Sequence, residues 1–194
     1  MRIFAITGPS LTLPNLITLV RLLLTPLFII FLIQESYGWA LTIFVAAGVS
    51  DLMDGLIARQ WHQKSPLGAF LDPLADKVLI ASSFLTLSIY HLIPSWLTVV
   101  VLSRDVALGL GVAVLRLADF PVAIRPTLVG KWCTTFQILT VFLVLGNQVW
   151  RLPTYVLENC FWITGGLTVV SGVYYVYREL LGANQPKAPR PSGE

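Results

Sequence analysis

Four aspartates crowd into one short window of a chain that holds only ten acidic residues. The window reads Asp51-Leu-Met-Asp54-Gly55-Leu-Ile-Ala58-Arg59, then Gly68-Ala-Phe-Leu-Asp72-Pro-Leu-Ala-Asp76-Lys77. On a helix, Asp51 and Asp54 share one face, and so do Gly68, Asp72 and Asp76. Carboxylates packed together repel and partly protonate unless positive charge compensates them. Arg59, Lys77 and Arg104 could do so as ion pairs. The other solution is one or two Mg²⁺ or Mn²⁺ ions, which prefer all-oxygen ligands. Four acids against two nearby bases leave excess negative charge, which favours metal. A metal pair beside the Arg59 guanidinium suits a diphosphate, whose oxygens bridge cations and accept charge-assisted hydrogen bonds. Gly55, Ala58 and Gly68 leave room for a flat base or ribose, although any one of them would serve close helix packing equally well.

The elements that position these residues follow from composition. Of 194 residues, 56% are hydrophobic and 12% charged, against roughly a quarter charged in an average soluble chain. The predicted fold is all-α, a polytopic membrane bundle of six helices. The expected spans are Leu16–Ile33, Trp39–Ile57, Leu67–Tyr90, Trp96–Leu117, Leu128–Val149 and Tyr155–Tyr177, each near the ~20 residues that cross a ~30 Å hydrocarbon core. Turn signals separate them: Tyr37-Gly38, Ser65-Pro66, Ile93-Pro94, Pro121 with Pro126, and Leu152-Pro153. A short connection makes the second and third helices antiparallel neighbours, converging four carboxylates near one membrane face. Asp72-Pro73 suggests a helix N-terminus at Asp72. Residues 1–182 read as a single transmembrane domain and 183–194 as a disordered cytoplasmic tail. Met1 to Ser10 lack a signal peptide's basic start and cleavage site, so the first apolar run reads as a retained span.

Lys and Arg distribution sets the orientation. Arg2, Arg59, Lys64, Arg116, Arg125, Lys131, Arg178, Lys187 and Arg190 fall on one side and Arg151 on the other. Both termini and the His62 loop are therefore expected in the cytoplasm. Trp39, Trp96, Trp150 and Tyr155 fall near span ends, where interfacial aromatics collect. The net charge of +3 serves this topology; no basic run or stacking stripe points to nucleic acid. Cys133 and Cys160 lack metal-ligand spacing and read as packed thiols. Arg104 and Asp105 lie within the fourth span, as an internal ion pair or with Arg104 in an acceptor site. Lys131 opens the fifth span as a phosphate ligand or a snorkelling residue. Arg21 suits pairing with an acid or a role in the site; His62 and His91 carry no assigned role. Gly109, Gly111, Gly165, Gly166 and Gly172 suit close helix contacts.

At the aspartates the sequence resembles the CDP-alcohol phosphotransferase (CDP-alcohol phosphatidyltransferase) family. The family signature D-x2-D-G-x2-A-R-x8-G-x3-D-x3-D is filled at all eight positions by Asp51, Asp54, Gly55, Ala58, Arg59, Gly68, Asp72 and Asp76. The resemblance implies that Asp51, Asp54, Asp72 and Asp76 ligate two metal ions and that Asp76 is also the general base. It implies that Asp54, Gly55, Ala58, Arg59 and Gly68 bind the nucleotide, and that an acceptor hydroxyl attacks CDP-diacylglycerol with release of CMP. Leu13-Pro14-Asn15 through Arg21, and Leu71 through Lys77, look like the branch of phosphatidylglycerophosphate synthases and eukaryotic-type cardiolipin synthases. His91 to Pro94, Leu102 to Val106, and Arg125 through Thr134 lean to the second group, with phosphatidylglycerol as acceptor; the first group usually has a lysine where Cys133 stands. Glycerol 3-phosphate is the alternative acceptor. Arg104, Arg125 and Lys131 are the acceptor-binding candidates. The resemblance further implies a homodimer in a bacterial-type inner or mitochondrial inner membrane, the site facing cytoplasm or matrix. A cation transporter would spread its acids along a path through several spans, and an intramembrane prenyltransferase needs more spans and a different aspartate spacing.

Overall fold

The computed structural model describes the backbone of residues 13–61, 66–117 and 128–183, and side chains within 19–50, 74–111, 114, 117 and 128–178. Six helices follow in order: α1 (Leu13–Ile33), α2 (Tyr37–Trp61), α3 (Pro66–Ile89), α4 (Ser95–Leu117), α5 (Leu128–Trp150) and α6 (Thr154–Ala183). No strand occurs among the described residues. The helix ends fall within a few residues of the expected spans, except that α2 and α6 run on past Ile57 and Tyr177.

Three tight connections close one end of the bundle, each with a non-glycine residue in the left-handed region: Glu35 and His91 at φ 56° and Arg151 at φ 52°. The Ser36 amide donates to the Phe31 carbonyl at 2.9 Å and the Glu35 amide to Leu32 at 3.0 Å. Leu92 to Leu87 at 2.9 Å and His91 to Ser88 at 3.0 Å repeat the pattern after α3. This double bond pair is the Schellman cap, which satisfies carbonyls a helix end leaves over.

The helices contact one another in a ring, α1–α2–α5–α6–α4–α3, with α3 and α5 also touching across it. The expected direct pairing of α2 with α3 is not found among the described residues. Each instead packs on α1 and on α5. The apolar core fills the half near the tight turns, with Phe28, Leu32, Phe44, Phe84, Leu87, Leu97, Val101, Val141 and Leu145 all buried. Phe28 and Phe44 rings lie 5.8 Å apart across α1 and α2.

Outward faces are apolar: Leu23 is 65% exposed, Leu110 61% and Val173 65%. Inward faces carry hydroxyls, with Thr98, Thr140, Thr164, Thr168 and Ser171 buried. Two helices, α5 and Thr154–Arg178 of α6, are each long and apolar enough to cross a membrane. The tail from residue 184 lies outside the described residues.

Candidate functional site

The backbone sets Asp51 and Asp54 in the last turns of α2, and Asp72 and Asp76 in the first half of α3. Both pairs therefore sit toward the end opposite the tight turns. Asp72 is not at a helix N-terminus, because α3 already begins at Pro66. Proline is tolerated at 73 inside α3, where its ring costs a helical hydrogen bond and crowds the carbonyl of residue 69. The side chains of Asp51, Asp54, Gly55, Ala58, Arg59, Gly68 and Asp72 lie outside those described, as does Arg125 altogether. Among the described residues no three potential metal ligands cluster.

Asp76 is half-buried, and its neighbour Lys77 points to a different partner. The Lys77 ammonium donates to Asp105 Oδ2 at 2.8 Å, across from α3 to α4. Arg104 donates through Nη1 to Asp105 Oδ1 at 2.7 Å and through Nη2 to the Ser171 hydroxyl at 2.7 Å on α6. One carboxylate thus binds two cations and joins three helices. Sequence reasoning offered the Arg104–Asp105 pair as one of two readings of Arg104 and missed Lys77 as the second cation. Two lone opposite charges in apolar helices, each needing a partner, were the available signal.

This network bears on the choice between ion pairs and metal. Of the three cations able to neutralise the aspartates, Lys77 and Arg104 are committed to Asp105. An all-oxygen set of four carboxylates is the donor chemistry that hard divalent cations take. The residues present therefore fit the metal group that the motif implies.

A second polar seam joins α5 to α6. Thr140 and Thr164 hydroxyls lie 2.7 Å apart, and Cys160 Sγ is 3.3 Å from Thr140. Cys133 Sγ approaches Thr168 at 3.4 Å and accepts from Gln137 at 3.5 Å. Both cysteines are free and buried, as packed thiols should be. Lys131 is exposed in the first turn of α5, at the aspartate end. Buried Arg21, 1% exposed, sits on α1, the helix shared by α2 and α3.

A family model described as CDP-alcohol phosphatidyltransferase matches residues 11–174. The chain belongs to that family. Within the CDP-alcohol phosphatidyltransferases it is similar to the rat "Cardiolipin synthase (CMP-forming)", 34% identical over 182 residues, 86% of this chain and 60% of the relative. It is 38% identical over 145 residues to the Streptomyces coelicolor protein of the same name, covering 72% of this chain and 66% of that one. It is also 34% identical over 181 residues to the Pseudomonas fluorescens "CDP-diacylglycerol--glycerol-3-phosphate 3-phosphatidyltransferase", covering 86% and 89%. The chain spans about 60% of the length of the rat and human relatives it matches.

Proposed function

We propose that this chain is a phosphatidyltransferase that moves the phosphatidyl group of CDP-diacylglycerol to a glycerol-type hydroxyl and releases CMP. The observation that carries the reading is the placement of the motif's four aspartates toward one end of α2 and α3, with Lys77 and Arg104 paired to Asp105. Mg²⁺ or Mn²⁺, held by Asp51, Asp54, Asp72 and Asp76, would neutralise the diphosphate. Arg59 would add charge-assisted hydrogen bonds to it, and Gly55, Ala58 and Gly68 would admit the cytidine. Asp76 would take the proton of the acceptor hydroxyl as its oxygen attacks the phosphorus bearing diacylglycerol.

Phosphatidylglycerol is the preferred acceptor, with cardiolipin as product. A free phosphomonoester wants more cationic groups than a phosphodiester, and the position that would supply a second lysine is Cys133, buried against Thr168 and Gln137. Glycerol 3-phosphate remains the second reading, supported by the Pseudomonas relative that the chain covers at 89% of its length. Arg104, Arg125 and Lys131 are the acceptor-binding candidates, Arg104 acting through the site wall it forms with Asp105.

All six helices would span the membrane, with both termini and the aspartate end on the cytoplasmic or matrix side of an inner membrane. The apolar outward faces support this. A homodimer belongs to the same reading: a Cβ built at Gly109 or Gly166 meets nothing within 4 Å, which leaves those faces open to a second copy. The test is CMP release by purified protein from CDP-diacylglycerol with Mg²⁺, comparing phosphatidylglycerol with glycerol 3-phosphate. Release with phosphatidylglycerol, stopped by a chelator and restored by Mg²⁺ or Mn²⁺, is expected. No release with either acceptor overturns the reading.

A further inference from the structure

Helices α4 and α6 touch tightly where Trp96 meets Gly165. At Gly165 a Cβ would come 2.6 Å from the Trp96 ring, so only glycine allows the contact; Trp96 and Trp162 rings lie 5.0 Å apart beside it. Farther along, an open groove of about 920 Å³ runs between the helices, lined by Val100, Leu108, Gly111 and Val114 of α4 and by Val169 and Val173 of α6. That volume is at the upper end of the ~300–1,000 Å³ of small-molecule sites.

Three features say what fits it. The first is chemistry: the lining is almost wholly apolar, and even Arg104 offers its aliphatic stem, Cγ lying 3.5 Å from a Cβ built at Gly172, while its guanidinium turns inward to Asp105 and Ser171. The second is length. Val100 to Val114 rises about 21 Å along α4, more than the roughly 15 Å depth of one leaflet's hydrocarbon. The third is charge: the Arg178 guanidinium sits 5.6 Å over the ring of Tyr175, a groove residue, at the aspartate end of α6. A positive charge beside the groove favours an anionic headgroup over a neutral one.

We propose that the α4–α6 groove seats an acyl chain of the acceptor, an anionic diacyl phospholipid, with its phosphate toward Arg178. The inference rests on the phosphatidyl-transfer reading and names the acceptor class. The groove belongs to the acceptor and not the donor because of its position. Half of the nucleotide motif is on α2, and neither α4 nor α6 packs on α2 among the described residues. Arg104, which lines the groove, pairs instead with Asp105, and Asp105 with Lys77, the residue after the proposed base Asp76. A water-soluble acceptor would have no chain to place here.

The test uses the full chain in phosphatidylcholine vesicles with a trace of phosphatidylglycerol carrying a photoreactive group on one acyl chain. Labelling is expected on peptides from α4 and α6, displaced by unlabelled phosphatidylglycerol but not by added phosphatidylcholine. Gly111→Leu fills the groove without a clash, since a Cβ there meets nothing within 4 Å. It should abolish this labelling and raise the KM for phosphatidylglycerol about tenfold, as if about two methylenes were left unburied, with the KM for CDP-diacylglycerol unchanged. Val173→Trp, from the exposed side of α6, should do the same. Absent labelling, equal displacement by phosphatidylcholine, displacement by CDP-diacylglycerol, or links between copies in place of lipid each overturn the inference. Phosphatidylglycerol-selective labelling in a wild type that releases no CMP would sink the transfer reading and leave the groove standing. CMP release with glycerol 3-phosphate alone, without groove labelling, would do the reverse.

Discussion

Asp105→Asn tests how much the bridged carboxylate holds. Both of its oxygens are used, by Lys77 at 2.8 Å and Arg104 at 2.7 Å. An amide keeps one acceptor and turns a donor toward the other cation, so one pair becomes a clash of donors. Breaking a buried pair from one side costs about 3–5 kcal/mol, because the remaining charge stays desolvated. The two cations are not equally trapped: the Lys77 side chain is 39% exposed and Arg104 only 11%. Lys77 can rehydrate, so its share falls toward the ~0–1 kcal/mol of surface pairs. The expected loss is therefore about 2–3 kcal/mol, carried mainly by Arg104. Reversible unfolding in mixed micelles, followed by far-UV circular dichroism, gives the number. Arg104→Met leaves Asp105 with Lys77, and Lys77→Met leaves it with Arg104, so both singles should cost less than Asp105→Asn. A loss below about 0.5 kcal/mol, the ordinary range of surface changes, would refute the assignment of Asp105 as the joint of α3, α4 and α6.

Asp51→Asn, Asp54→Asn and Asp72→Asn should each abolish CMP release with the unfolding midpoint unchanged; retained activity in two of them at saturating Mg²⁺ would sink a shared metal site. Asp76→Asn should lower turnover by ~10² to 10⁴-fold, the usual worth of a positioned base, while nucleotide-lipid affinity on the same protein stays near wild type. If affinity falls as far as in Asp51→Asn, Asp76 is a ligand alone. Gln63→Cys should resist, and Gln148→Cys accept, an impermeant thiol reagent applied to intact cells from outside. The reverse pattern would invert the topology; native Cys133 and Cys160, both buried, leave the background low.

Much of the architecture was legible because long apolar runs bounded by proline and glycine mark helices. Ile33 ends α1 as predicted, and α3 and α4 meet at the turn expected near Ile93-Pro94. Residue types told less about neighbours. A short connection between α2 and α3 implied contact, yet α1 and α5 each touch both helices, and nothing local in the sequence encodes that ring order. The glycines misled in part: Gly165 does admit the Trp96 ring, but Gly111 faces open groove and Gly109 open space. A missing side chain signals close approach without saying by what. The turns were placed by their proline and glycine signals, whereas the residues that reverse the chain are Glu35, His91 and Arg151, which composition does not flag. The α5–α6 hydroxyl seam could have been found from the helical spacing of Cys133, Gln137 and Thr140 against Cys160, Thr164 and Thr168.

The closed end has a mechanical consequence. Three hairpins of a few residues, with two of them locked by paired backbone bonds, fix the helices as pairs of arms joined at one end. A helix of α3's length is a lever of about 36 Å, so a tilt of about 5° at the turn carries its far tip about 3 Å. The carboxylates ride well out on those arms, where a small rotation changes their separations most. Aspartates on α2 and α3 that shared a divalent ion would then clasp two levers that, among the described residues, meet only through α1 and α5, at the free end of the bundle.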